Sequence, residues 1–343
     1  MDGKIRALLV LCAVMALIAF SSQASWSKEV MKLATLAPEG SNFMKTFGKM
    51  QQEITEKTGG EVEFKAYTGG VMGNDADVLR KMRVGQIQGG AFTAGGASAV
   101  YMDLRAMSVP LVFRNYDEID YVLAKVTPLF EAELEKKGYV ALGWTEAGFA
   151  HIMSQEPIGS VADLKAKKVW IPQGDPVGQM VFEKAGVPPI PLSLPDVITS
   201  LQTRQLDTVC TSPVGAVILQ WYTKIKYITQ EPLLYVYGVL MVDKRAFDKI
   251  SAEHQKIIKE VFPRYFKELN LQTRKDNDAA IDTMTKKGIQ LVPVTPENHA
   301  GLVRLIDEAK AELYQKGIFT KETVGMIEKG VQEYRKTHPE KGK

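Results

Sequence analysis

Residues 251–287 read "SAEHQKIIKEVFPRYFKELNLQTRKDNDAAIDTMTKK". The stretch reads as one long helix with a bend near Pro263. At 1.5 Å per residue it would be roughly 50 Å long. That is longer than one lobe of a chain of this size is wide, so the helix is expected to cross from one lobe to another. The rest of the chain alternates short strands and helices. "MKLATL" (31–36) reads as a buried strand. Ser41 can cap a helix whose stripe is Phe43, Phe47, Met50 and Ile54. "EVEFKAY" (61–67) alternates as a strand, and Asp75 is positioned to cap "ADVLRKMRVG". "GGAFTAGG" (89–96) is a strand running into a turn. Thr127-Pro128 looks like a helix start with an N1 proline. "YVALGW" (139–144) and "AHIMS" (150–154) read as two strands, and "LLYVYGVLMV" (233–242) as a long apolar one. Asp175-Pro176, "LPDVITSLQTRQ" (194–205) and Thr295-Pro296 mark further helices, and "LDTVCTS" (206–212) another strand. This rhythm predicts mixed, mainly parallel sheets flanked by helices, an α/β fold. Two lobes joined by several crossings suggest a clamp around a cleft.

The N-terminus, "MDGKIRALLVLCAVMALIAFSSQASW", has the form of a secretory signal peptide. Lys4 and Arg6 precede the uncharged apolar run Ala7–Phe20, and Ser22 and Ala24 supply the small residues a signal peptidase reads. Cleavage after Ala24 is expected, leaving a periplasmic chain. The apolar run is short for a membrane span of about 20 residues. Leu11 stands where a lipobox needs a small residue, so Cys12 is read as an ordinary leader residue. The remaining chain keeps one cysteine, Cys210, and forms no intrachain disulfide. A net charge of +3, with basic residues spread along helices, argues against nucleic acid as a partner.

No catalytic constellation stands out. His151, His254, His299 and His338 have no metal-type neighbour at ligand spacing. There is no G-x-S-x-G, no P-loop and no G-x-G-x-x-G placed after a strand. Cys210 reads as a buried strand thiol. These residues by themselves give an enzyme no support, and no cofactor is expected.

Several segments carry a family resemblance: "KLATLAPEGS", "EITEKTGGEVEFKAYTGGVMG", "VLRKMRVGQIQGG", "MSVPLVFRNYDEIDYVL", "GWTEAGFAHIM", "DLKAKKVWIPQGDPV", "LSLPDVITSLQTRQLDTV" and "QWYTKIKYIT". Together with their spacing, they resemble the extracytoplasmic solute-binding proteins of TRAP transporters, the DctP-type P subunits, over nearly all of the chain after the leader. The motif P-x-x-F-R-x-Y at 110–116 is the most specific part. The resemblance implies a two-lobe periplasmic binding protein clamp with a long helix across both lobes. After the signal peptide at 1–24, lobe I is expected over 25–147 and 236–275, and lobe II over 148–235 and 276–343. It further implies delivery of a small solute to the TRAP membrane permease subunits.

The departures from the family pattern bear on the solute. The position of Trp170 is usually an arginine that pairs with a ligand carboxylate. That of Thr211 is usually an asparagine supporting the same carboxylate, and that of Ala150 often a second arginine. An indole offers one N–H donor and a large apolar face, in place of a planar cationic fork. Trp170 is therefore expected to turn an anion clamp into an apolar wall, joined by Phe149, Trp221, and Tyr235 or Tyr237. Ala150, Thr211 and Thr93 complete the expected lining. Strand alternation puts Trp170 on the face of Lys168 and Pro172, opposite Val169 and Ile171. The implied solute is apolar or aromatic and weakly charged. Branches of the family that work with a periplasmic tetratricopeptide-repeat protein look built for such ligands. One alternative is an organic acid held by a substitute cation such as Lys168. Another is a sensory clamp that does not serve transport.

Overall fold

The computed structural model describes residues 28–339, so the leader at 1–24 and Cys12 lie outside the described residues. Apolar alternation makes the first strands. β1 (Glu29–Thr35) buries Met31 and Leu33, and β2 (Val62–Tyr67) buries Val62 and Phe64. Between them runs α1 (Asn42–Lys57), whose Ser41 cap accepts the Met44 N–H and whose Phe47, Met50 and Ile54 are buried. α2 (Asp75–Arg83) precedes β3 (Gly89–Thr93). Its cap is Asn74, in a reciprocal box with Asp77, and not Asp75. Asn74 adopts the extended backbone a cap needs, which frees the Asp75 carboxylate for another use.

α3 (Tyr116–Lys136) corrects a second reading, because it runs straight through Pro128. Pro128 is exposed, while Ile119, Val122, Val126, Phe130 and Leu134 form an unbroken buried stripe. Packing of that stripe outweighs the local proline signal. β4 (Tyr139–Ser154) is one continuous strand where two were expected. It is followed by β5 (Trp170–Pro172), α4 (Pro176–Lys184), β6 (Ile190–Leu192), α5 (Val197–Gln202), β7 (Thr208–Thr211) and α6 (Pro213–Ile218). β8 (Tyr227–Asp243) is also longer than its apolar run. α7 (Ala252–Lys286), β9 (Gln290–Val292), α8 (Pro296–Gln315) and α9 (Lys321–Thr337) complete the described chain.

The strands form a mixed sheet in the order β2-β1-β3-β8-β4-β7, with β9 on β8, and a small parallel pair, β5-β6. β1 pairs in parallel with β2 and β3, whereas the long β4–β8 ladder is antiparallel. β4 and β8 thus pass through both lobes side by side. α7 spans them as well. Its Phe262 and Phe266 pack with Phe47 in one core, and its Met284 packs with Trp221 in another. At 35 residues the helix is about 52 Å long.

The crossing is tied by polar groups. In the middle of the β4–β8 ladder lies a bulge between Glu146 and Gly148. Gly148 has φ +96°, and a Cβ there would meet Asn277 Nδ2 at 2.3 Å. Asn277 on α7 donates to the Ala147 carbonyl and accepts the Val214 N–H. Glu146 is buried and pairs with Arg274 of α7, which also forks onto Asp120 of α3. Burial raises the Glu146 pKa, against the pull of Arg274.

Candidate functional site

A cavity of about 490 Å³ lies between the two lobes. One wall comes from the start of α2, the end of β3 and the 3₁₀ turn Met102–Ser108. The other comes from β5, the start of α4, and the ends of β6 and β7. Leu234, Val236 and Tyr237 of β8 form the floor.

Four of the expected site residues line this cavity: Trp170, Thr211, Tyr237 and Thr93. The Trp170 indole N–H donates to the Leu192 carbonyl at 3.0 Å, across the β5–β6 pair. Its ring meets Trp221 edge-on at 5.1 Å. The one donor of the indole is therefore spent inside the protein, and what faces the cavity is carbon. Tyr237 donates to the Leu104 carbonyl, and burial raises its pKa. The Thr93 hydroxyl donates to Asp75 Oδ2 at 2.7 Å and accepts the Gly96 N–H at 2.9 Å.

The other three lie outside the lining. Ala150 is fully buried within β4 opposite Leu234. Phe149 packs on Tyr116 and Tyr235 near the lobe crossing. Trp221 stands behind Trp170 as its support. Tyr235 is not in the wall either: it stacks on Tyr237 and donates to Glu146. Lys168 is exposed, precedes β5 and donates to the Arg204 carbonyl, so it is not the substitute cation. Ile171 joins Trp170 in the wall despite strand alternation, because β5 is only three residues long and turns into the cavity loop.

Sequence reasoning missed the charged groups. Among the described residues the lining holds three: Asp75, Arg105 and Asp175. Arg105 of the 3₁₀ turn forms an ion pair with Asp175 of the facing wall, and the two side chains are 12 % and 6 % exposed. Asp175 also caps α4 by accepting the Val177 N–H. The buried Arg105 Nε has no partner. Burial pushes the Asp75 carboxyl up to about 6, against the downward pull of its hydrogen bonds from Thr93. Asp175 was legible as a helix cap, but nothing near "YMDLRAMS" marks Arg105 as its mate. Burial pushes the Cys210 thiol in the wall up to about 12, so it stays protonated and unreactive. Among the described residues no group of His, Cys, Asp or Glu can hold a metal ion, and no helix is long and apolar enough to cross a membrane.

Two lobes joined by long shared strands and a spanning helix, with a largely apolar chamber between them, define a binding protein of the clamp type. The chain belongs to the bacterial extracellular solute-binding protein family 7, DctP, whose model matches residues 33–317. It is therefore an extracytoplasmic solute-binding component of a TRAP transporter, working with a membrane permease, and not an enzyme. It is 26 % identical to the 2,3-diketo-L-gulonate-binding periplasmic protein YiaO of Escherichia coli over 253 residues, 71 % of this chain and 75 % of the relative. Solved structures share the fold. The sugar acid binding protein DctPAm of Advenella mimigardefordensis, in complex with galactonate, matches with a TM-score of 0.84 at 18 % identity, over 90 % of this chain and 99 % of that one. A TRAP periplasmic solute-binding protein of Desulfovibrio salexigens with bound orotic acid matches with a TM-score of 0.83 at 19 % identity, over 89 % and 99 %.

Proposed function

We propose that this chain captures a small, largely apolar or aromatic solute of little net charge and hands it to a TRAP permease. The observation that carries this reading is the charge inventory of the cavity. Among the described residues its one lining cation, Arg105, already faces Asp175, and the remaining charged group is Asp75, an acid. An anionic solute would enter a chamber whose one lining cation among the described residues is already paired with an acid, and desolvating it there costs several kcal/mol. Trp170 supports the same reading, since its donor is used by Leu192 and its ring offers apolar area. In this reading residues 28–147 with 236–275 form one jaw and residues 148–235 with 276–319 the other; α9 (Lys321–Thr337), expected in the second jaw, instead packs on α3 of the first, where Arg335 pairs with Glu118 and Lys125 with Glu333. Thr211, Thr93, Tyr237 and Trp170 touch the solute. A periplasmic tetratricopeptide-repeat protein is the second partner.

A second reading is favoured by the unpartnered Arg105 Nε and by the acids bound in related proteins. In it the solute is an organic acid seated on Arg105. Native mass spectrometry of the purified protein, followed by calorimetry against matched pairs of carboxylates and their neutral amides, separates the two. Preference for the amide member supports the first. Tight binding of galactonate or a similar sugar acid by the wild type establishes the second.

A further inference from the structure

We infer that Asp175 is a built-in counter-ion which occupies the place of a solute carboxylate on Arg105 and thereby sets the cavity against organic acids. The inference deepens the reading of a weakly charged solute and rests on it. A guanidinium recognises a carboxylate through one planar edge carrying two parallel N–H donors. The Nε–Nη2 edge of Arg105 is such an edge, and Arg105 is one of the residues lining the cavity. Asp175 Oδ2 pairs with Nη2, while Nε is buried with no partner. The edge is thus half used, by a carboxylate that the protein itself brings from the opposite wall. Gly95 underlies the guanidinium: a Cβ there would stand 3.2 Å from Arg105 Nη1. The cation is held by close backbone on one side and by Asp175 on another. Asp175 is fixed in turn by its cap bond to the Val177 N–H. An incoming carboxylate must displace Asp175 or bind beside it, and like charges at such a spacing exclude each other. The pair joins residues of the two facing walls.

The test removes the charge and keeps the cap. Asparagine is as good a helix cap as aspartate, so Asp175→Asn should fold, and Asp175→Ser is the reserve variant on the same ground. The probe is acetate, small enough to enter the cavity whatever the natural solute is. The readout is the Arg105 Nε–H resonance in ¹⁵N-arginine-labelled full-length mature protein, assigned by its loss in Arg105→Lys. Acetate should shift this resonance saturably in Asp175→Asn, with an affinity about tenfold or more above that of the wild type. In Asp175→Asn/Arg105→Gln, competition against a fluorescent carboxylate should show no such gain. Equal acetate responses in wild type and Asp175→Asn, or no response in Asp175→Asn and Asp175→Ser alike, would overturn the inference. The wild type's own preference between a carboxylate and its amide reports separately on the proposed solute class. That preference can fail while the Asp175 effect stands, and the reverse.

Discussion

Replacing Asp75 by asparagine should stabilise the protein at neutral pH, and only there. The Asp75 carboxyl has its pKa raised from 3.8 to about 6, chiefly by burial. A group whose folded pKa lies above its unfolded value holds its proton more tightly in the folded state. Stability is then full below about pH 4 and is lost as pH rises through about 6. Each pKa unit is worth about 1.4 kcal/mol, so the ceiling of the penalty is about 3 kcal/mol. The residue is partly open to the cavity, and it sits in the first turn of α2, where a negative charge is favoured. These offsets bring the expected gain of Asp75→Asn to about 1–2 kcal/mol. The amide oxygen can still accept from the Thr93 N–H and hydroxyl. Urea unfolding followed by tryptophan fluorescence, from about pH 4 to about pH 7.5, measures the difference at each pH. The two proteins should converge at the acid end and diverge as pH rises. A constant difference across the range, or a variant weaker than wild type at neutral pH, would refute the reasoning.

Trp170→Ala should cost about 3–5 kcal/mol of stability, since it removes the ring under which Trp221 packs and the bond to Leu192. It should weaken a neutral aromatic probe by about 1–3 kcal/mol. Thermal unfolding and calorimetry read the two effects, and unchanged values for both would remove Trp170 from fold and site alike. Arg274→Met leaves Glu146 buried without its cation and should destabilise by about 3–5 kcal/mol. Adding Glu146→Gln should restore part of that loss in a double-mutant cycle, and a purely additive cycle would show that the pair is not coupled. Small-angle scattering should give a smaller radius of gyration with a verified solute than without. An unchanged profile at saturation would count against closure of the lobes.

The elements set by neighbours in sequence were legible. Phe47, Met50 and Ile54 recur at helical spacing, and the caps Ser41, Asp175 and Thr295 each bond a backbone N–H two or three residues on. The length of α7 could be read as well, and with it the need for two lobes. Local signals failed where a distant contact outweighed them. Pro128 did not break α3, because the stripe from Ile119 to Leu134 is held by the core. Nor did Gly148 end β4, because Asn277, 129 positions further along, occupies the space a side chain would need and bonds the bulge. The candidate site divides in the same way. Trp170 stood out from its own segment, but the use of its N–H by Leu192 comes from the β5–β6 pairing. Arg105 and Asp175 lie 70 positions apart in the chain, on segments with no mutual pattern. Periodicity and capping are short-range rules, written in adjacent residues. Which charge is cancelled in a cavity depends on two walls meeting, and only the folded chain brings them together.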